Sequence, residues 1–307
     1  MNVVASCGKV KIYRYKIDYF SLFNSPYYAH SYGGALDIYF LDEERVFPCL
    51  TPGRIVDIRT IKATSMKKFP HSEFDYVILI ESREDPSLIV RLMHVKPFVK
   101  EGDCLDVGSP IGMLLRSGFF DPWTSLHAHL EVKYPSYAFR AKGSIPMTLN
   151  IDGEIEGEAV EDIFFRVVQA NDYFVLVKLK DECTVRVGRV GGLGVRVGEN
   201  LGILDCGFPH YKRGGVIVVR ESKVRLGDQV RLGGLVVGRV NGFIRNGVQI
   251  SLENVSLECE GVRLRGISTF LSLNEKCLMK LIPLKGEKID FRKGEVVQLK
   301  LHEEGFL

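Results

Sequence analysis

The stretch "TSLHAHLEV" (124–132) sets two of the chain's seven histidines on either side of one alanine, inside an apolar run. Side chains of a β-strand alternate with period two. Read as a strand, the run points His127 and His129 to one side. Leu126, Ala128 and Leu130 point to the other, into a core. Such a pair is either a metal ligand beside a catalytic neighbour or two polar residues on a solvent face.

The segments around it share the strand character. "GRIVDIRTIKA" (53–63), "DYVILIESR" (75–83) and "SLIVRLMHV" (87–95) are apolar, β-branched runs bounded by Pro, Gly and Asp. "DYFVLVKLKD" (172–181), "GGVIVVRES" (214–222) and "VVQLKLHEE" (296–304) read the same way. No long amphipathic helix is visible, and short helices are expected only near 19–24 and 269–281. A Gly-Asp turn signature recurs in "KEGDCLDVGSPIG" (100–112) and "RLGDQVRLGGLVVG" (225–238), and its first part in "VRVGENLG" (195–202) and "FRKGEVVQL" (291–299). Glycine supplies the positive φ of a tight turn, and the acid bonds the turn's backbone.

With 307 residues the chain has room for two domains. Ten of twelve prolines and five of seven histidines precede residue 151, whereas 22 of 31 glycines follow residue 150. The acidic stretch "NIDGEIEGEAVED" (150–162) marks the expected boundary. The fold class expected is mainly β: an antiparallel sheet or sandwich over 1–150, then a β-rich barrel or sandwich of unassigned role over 151–307.

Net charge is +3, with 18 Lys and Arg against 16 Asp and Glu in 1–150 and 23 against 22 in the remainder. Neither half is basic, so a nucleic-acid partner is not expected. The seven cysteines are scattered, without a C-x-x-C pair, which argues against a disulfide framework and a thiolate zinc site. No apolar stretch is long enough for a membrane span or a signal peptide. A cytoplasmic protein is expected. The glycine-rich "GRVGGLGVRVG" (188–198) lacks the Lys-Ser/Thr ending of a phosphate loop and reads as turns in a β-domain.

Metal-binding groups concentrate in the first half. "YAHSYGGALDIYF" (28–40) carries His30 on a turn-like segment and Asp37 between apolar neighbours on a strand-like one. A carboxylate there is costly to bury unless it is paired or bound to a metal. A catalytic zinc takes three protein ligands and leaves a fourth position open. The third could come from His127 or His129. His94, ending "VRLMH", could face the same site, where a histidine can take or give a proton near neutral pH. Glu131 alternates onto the side of His129, and a solvent-facing carboxylate is the favoured reading. Trp123, Phe119 and Phe120 suit either a groove or a core.

Taken together, "HSYGGALDIYF", "RLMHVKPFVKEGDCLDVGSPIGMLL" and "SLHAHLEV" resemble the lysostaphin-type (LytM-like) zinc metallopeptidase domain over roughly residues 28–133. The resemblance implies that His30, Asp37 and His129 bind Zn2+ and that His127 is catalytic. His94 would be an auxiliary histidine holding water or the oxyanion. The implied activity is hydrolysis of a peptide amide through a metal-activated water, with a peptide as the substrate partner. His30 and Asp37 lie seven positions apart rather than the family's usual four; "AHSYGGALD" instead resembles the H-x-x-G-x-A-x-D motif of the D-Ala-D-Ala peptidases. One alternative is a non-catalytic metal-binding or recognition protein that keeps the peptidase fold. Another is a carrier domain, because "VKEGDCLDVGSPIG" also resembles biotinyl/lipoyl and sugar-phosphotransfer hybrid folds, although no Met-Lys-Met-type hairpin is present.

Overall fold

The computed structural model describes residues 2–40, 46–63, 67–218 and 223–303. Strands dominate, and the helical elements among the described residues are short 3-10 turns at Tyr28–Tyr32, Pro135–Tyr137 and Asp181–Cys183. Two compact units emerge: residues 1–20 with 28–150, and residues 21–27 with 151–307. The seven residues 21–27, expected in the first half, thus count with the second unit.

The first unit is built on an antiparallel sheet. Its histidine-pair strand, Ala128–Lys133, pairs with Ala35–Tyr39 on one side and Ile89–Met93 on the other. The sheet continues through Phe74–Ser82 and Gly53–Lys62 to Cys104–Leu105. Alternation sends Leu36, Ile38, Leu92, Ala128, Leu130 and Val132 to one face, where all are at most 2% exposed. Burying that row supplies the hydrophobic drive that fixes the register, since a one-residue slip would put the histidines into this core. The opposite face carries Asp37, His129, Glu131 and Lys133, and all four are also buried. The run expected over 87–95 is broken at His94, whose φ of 64° turns the chain between strands Ile89–Met93 and Val95–Pro97.

The second unit closes two rings of strands. In the first, Ile163–Ala170 pairs with Val175–Leu179, then Leu278–Pro283, Val262–Ser268, Val255–Cys259 and Val296–Glu303, which returns to Ile163–Ala170. In the second, Val190–Val197 pairs with Asn200–Phe208, then Arg213–Val218, Gly247–Leu252, Leu235–Ile244 and Gln229–Leu232, which returns to Val190–Val197. Closure removes the unpaired edges that an open sheet exposes. Asn200–Phe208 also pairs with Val262–Ser268, joining the rings around one core that includes Phe165, Phe208, Val195 and Ile250. The glycine-rich 188–198 is a paired strand over Val190–Val197 between turns at Gly188 and Gly198, whose φ are 53° and 55°.

The Gly-Asp signature is a turn, as its residues predict. Gly102 and Gly227 take φ of 92° and 86°. In these turns and in the one at Gly294, the acid accepts from the backbone N three residues before it: Lys100 N to Asp103 at 2.9 Å, Arg225 N to Asp228 at 2.8 Å, and Arg292 N to Glu295 at 2.8 Å. The two expected helices are absent. Residues Tyr19–Ser21 are a strand, and 269–281 is split into strands Leu271–Ser272 and Leu278–Pro283 by a turn in which Cys277 has φ of 32°. Ladder pairing of Leu278–Pro283 on both sides outweighs local helix preference there. Residues 219–222 and 304, expected in strands, lie outside the described residues.

Leu130, 2% exposed, anchors the apolar face. Leu130→Ala is expected to lower unfolding stability by about 2–5 kcal/mol, read as a shift in the urea midpoint at unchanged slope.

Candidate metal centre

The strand register places His129 directly opposite Asp37. Both side chains project from the polar face, so their contact follows from pairing alone. His30 arrives from the 3-10 turn Tyr28–Tyr32, where Gly34 N donates to Ala29 O at 2.8 Å and closes the loop into the Asp37 strand. His30 Nε2 lies 3.2 Å from His129 Nδ1 and 3.2 Å from Asp37 Oδ1, and His129 Nδ1 lies 2.8 Å from Asp37 Oδ1. Three donor atoms, one from each residue, therefore form a small triangle. A tetrahedral zinc with bonds of ~2.0–2.1 Å separates its ligands by about 3.3 Å. The triangle matches one face of that tetrahedron, so the two imidazoles and the carboxylate fit the ion.

His127 stands beside the triangle, with Nε2 3.6 Å from Asp37 Oδ2. Its Nδ1–H donates to the Ser125 carbonyl at 2.9 Å, which leaves the Nε2 lone pair facing the site. The His94 ring lies 5.1 Å from that of His127 and 6.0 Å from that of His129. All five residues singled out in the sequence thus gather in one place, and each is at most 6% exposed.

The surroundings set the charge states. Burial alone would raise the Asp37 carboxyl, but His30, His127 and His129 overcome it and hold the group well below the usual carboxylate range. Burial pushes His127 down to about 4, with Asp37 acting against that shift. For His129, burial is outweighed by bonds to Asp37 and Glu131, which push it up to about 9.

Glu131 is a correction to the sequence reading. It is 2% exposed, and its Oε1 accepts from His129 Nε2 at 3.0 Å. Arg91 Nη1 at 3.1 Å and Lys133 Nζ at 2.9 Å neutralise the carboxylate, and Ser144 Oγ also donates to it. Burial would raise Glu131, yet His129, Arg91 and Lys133 hold it far below its ordinary value. Holding the proton on Nε2 frees Nδ1 of His129 to point at a cation.

Sequence reasoning missed Asp75. It accepts from the backbone N of His94 at 3.0 Å and from its Nδ1 at 2.5 Å, which fixes the ring. Nothing in "FDYVIL" marks this carboxylate. Arg91 and Lys133 carried a faint signal, as charged residues on the same alternation as His129. Phe120, 3% exposed, stacks on His127 at 4.6 Å and meets His94 edge-on at 4.8 Å. It belongs to the wall of the site. Tyr39 also neighbours His127, with ring centroids 5.2 Å apart.

Glu131→Gln is expected to weaken zinc binding ~10–100-fold, measured by competition with a chromophoric chelator. Unchanged affinity would show that the His129–Glu131 bond does not prepare the ligand.

Residues 9–149 match the family described as "Domain of unknown function (DUF8155) N-terminal domain". Residues 159–302 match "Domain of unknown function (DUF8155) C-terminal domain". No curated protein matches the chain. A solved structure titled "NMR solution structure of lysostaphin" is similar at 14% identity and a TM-score of 0.24, covering 71% of this chain and 86% of that one. A likeness that low carries no argument about fold or activity. The two matched domains account for most of both halves, and the chain belongs to the DUF8155 family.

Proposed function

We propose that the first unit is a zinc-dependent peptidase-type hydrolase, acting on a peptide amide bond. One observation carries the reading: His30 Nε2, Asp37 Oδ1 and His129 Nδ1 form a triangle with sides of 2.8–3.2 Å, with a fourth imidazole, His127, beside it. The resemblance of the three motifs in 28–133 to the lysostaphin-type domain supports the same assignment. When bound, zinc supplies positive charge that polarises a carbonyl and acidifies water.

The chain's own residues divide the remaining work. His30, Asp37 and His129 hold the ion. His127 is the proton acceptor, because its Nδ1–H is committed to Ser125 and its Nε2 is the free base. His94, pinned at Nδ1 by Asp75, is left with Nε2 for proton exchange or for a bond to the developing oxyanion. Phe120 and Tyr39 neighbour His127 and exclude water from it.

A second reading is favoured by the burial of all five groups and by the Phe120 ring lying flat on His127. In it the centre holds zinc structurally, in a recognition module that keeps the fold. We place the protein in a reducing compartment such as the cytoplasm, because all seven cysteines are free thiols and six of them are buried. No helix among the described residues is long and apolar enough to cross a membrane.

The purified chain is expected to carry about one zinc, as a single site of this kind holds one ion, and to hydrolyse members of a peptide panel only without a chelator. His127→Ala should keep the zinc and lose at least about 100-fold in rate. Retained hydrolysis in that variant refutes His127 as the base. Zinc binding that raises the melting temperature, with no hydrolysis by the unaltered chain, selects the structural reading.

Asp75→Asn is expected to leave zinc content unchanged and reduce kcat more than KM. A kinetic profile like that of the unaltered chain would remove His94 from the reaction.

A further inference from the structure

Residues 115–127 join the strand Pro110–Leu114 to the strand Ala128–Lys133, and all of them lie in the first unit. Ser117 makes an isolated bridge with Ser72, and residues 118–127 beyond it belong to no strand. Their carbonyls therefore need donors from outside a ladder. Within them "DPWT" (121–124) is a turn with proline at its second position, where a preset φ favours it. Thr124 N donates to Asp121 O at 3.0 Å, and Asp121 N donates to Thr124 Oγ1 at 3.2 Å.

One side chain gathers this turn. Arg116 Nη1 donates to Thr124 O at 2.8 Å, and its Nη2 donates to Pro122 O at 2.6 Å and to Asp121 O at 3.2 Å. A planar guanidinium can serve three carbonyls at once, which an ammonium on a flexible stem does less well. The cation also stands over the ring of Phe69, 4.6 Å from its centroid, and Phe69 is 5% exposed. Arg116 is thus held by a buried ring outside the loop while it holds the loop's carbonyls.

Both flanks of the turn meet His127. Before it, Phe120 N donates to Ser117 O at 3.1 Å, and the Phe120 ring lies on that of His127 with 13° between the planes. After it, the Ser125 carbonyl accepts from His127 Nδ1 at 2.9 Å. Peptide groups are planar, so fixing the Thr124 carbonyl restricts the Ser125 carbonyl one residue on. The stem of the loop reaches the second histidine as well: Ser117 bonds Asp75, the carboxylate that pins His94.

We infer that Arg116 is a positioning residue for His127, acting through the turn 121–124 that sets the Ser125 carbonyl and the Phe120 ring. The inference rests on the reading of His127 as proton acceptor.

The test uses the full chain with isotopically labelled histidine, unaltered and carrying Arg116→Met or Arg116→Lys. The His127 ring is followed without metal by its nitrogen and ring-proton resonances. In the unaltered chain the proton is expected on Nδ1, and the stacked Phe120 ring is expected to shift the His127 ring protons upfield. In Arg116→Met the two nitrogen resonances should converge and the upfield shift should shrink. Zinc content should be unchanged, because the Arg116 bonds reach none of the three candidate ligands. On a hydrolysed peptide kcat should fall by up to about 100-fold, with KM little changed. An Arg116 that serves only stability would lower the melting temperature and leave the His127 resonances and kcat as they were, which overturns the inference. Altered resonances with unaltered kcat overturn it as well. If the unaltered chain hydrolyses no peptide, the hydrolase reading has failed separately, and the His127 resonances alone decide whether Arg116 sets the ring. Arg116→Lys keeps the charge over Phe69 but not the planar fork. It is expected to give the same changes in smaller measure, and it decides the matter if Arg116→Met does not fold.

Discussion

A carboxylate inside a sheet must recover from its neighbours what it loses in hydration. Asp37 is 2% exposed and stands between two fully buried apolar residues, Leu36 and Ile38. It recovers that loss from three imidazoles, supplied by a facing strand, the residue before that strand and a turn. Each must be present at once. His129 comes by register, His127 by continuing the same alternation just before the strand, and His30 by the loop that Gly34 closes onto Ala29. A site whose members compensate one another in this way is a single electrostatic unit, and a cation fits it because the carboxylate is already held ionised.

The same constraint propagates along the strand. His129 is drawn to Asp37 on one nitrogen and to Glu131 on the other. Glu131 in turn requires Arg91 and Lys133, and Lys133, fully buried, spends further bonds on the carbonyls of Arg140 and Lys142. Polar groups thus occupy one face of a strand whose other face is Ala128, Leu130 and Val132. The apolar face holds the register and the polar face uses it. A buried network connected in this way rigidifies its members, and among the described residues Arg91 Nε is the atom of it left without a partner.

Much of this was legible in the chain. Period-two alternation places His127 and His129 together, and the apolar neighbours of Asp37 announce a carboxylate in need of partners. Alternation tells which side Glu131 faces but not how deep that side lies. Depth is set by covering segments such as 138–144, which no local pattern connects to it. Asp75 escaped for a related reason: its partner His94 lies 19 residues away, across a strand pairing and a left-handed turn. In the second half the strands and glycine turns could be read, but ring closure could not. The pairing of Ile163–Ala170 with Val296–Glu303 joins the two ends of that half. Residues 21–27 counted with the first half for want of any signal that Asp205, whose carboxylate accepts from Ser21, Leu22 and Phe23, would claim them.

The doublet "HAH" shows how two identical side chains take different tasks. In His127 the carbonyl of Ser125 can only accept, so the proton sits on Nδ1 and Nε2 is the open atom. In His129 the Glu131 carboxylate accepts from Nε2–H, and Nδ1 is the atom turned to Asp37. His127 Nε2 and His129 Nδ1 both face Asp37, at 3.6 and 2.8 Å. Burial without a compensating anion on its far nitrogen keeps His127 neutral, with its Nε2 lone pair available, while the anion behind His129 draws positive charge onto its ring. Under the proposed assignment, base and ligand are distinguished by what lies behind each ring, a backbone carbonyl in one case and a charged carboxylate in the other.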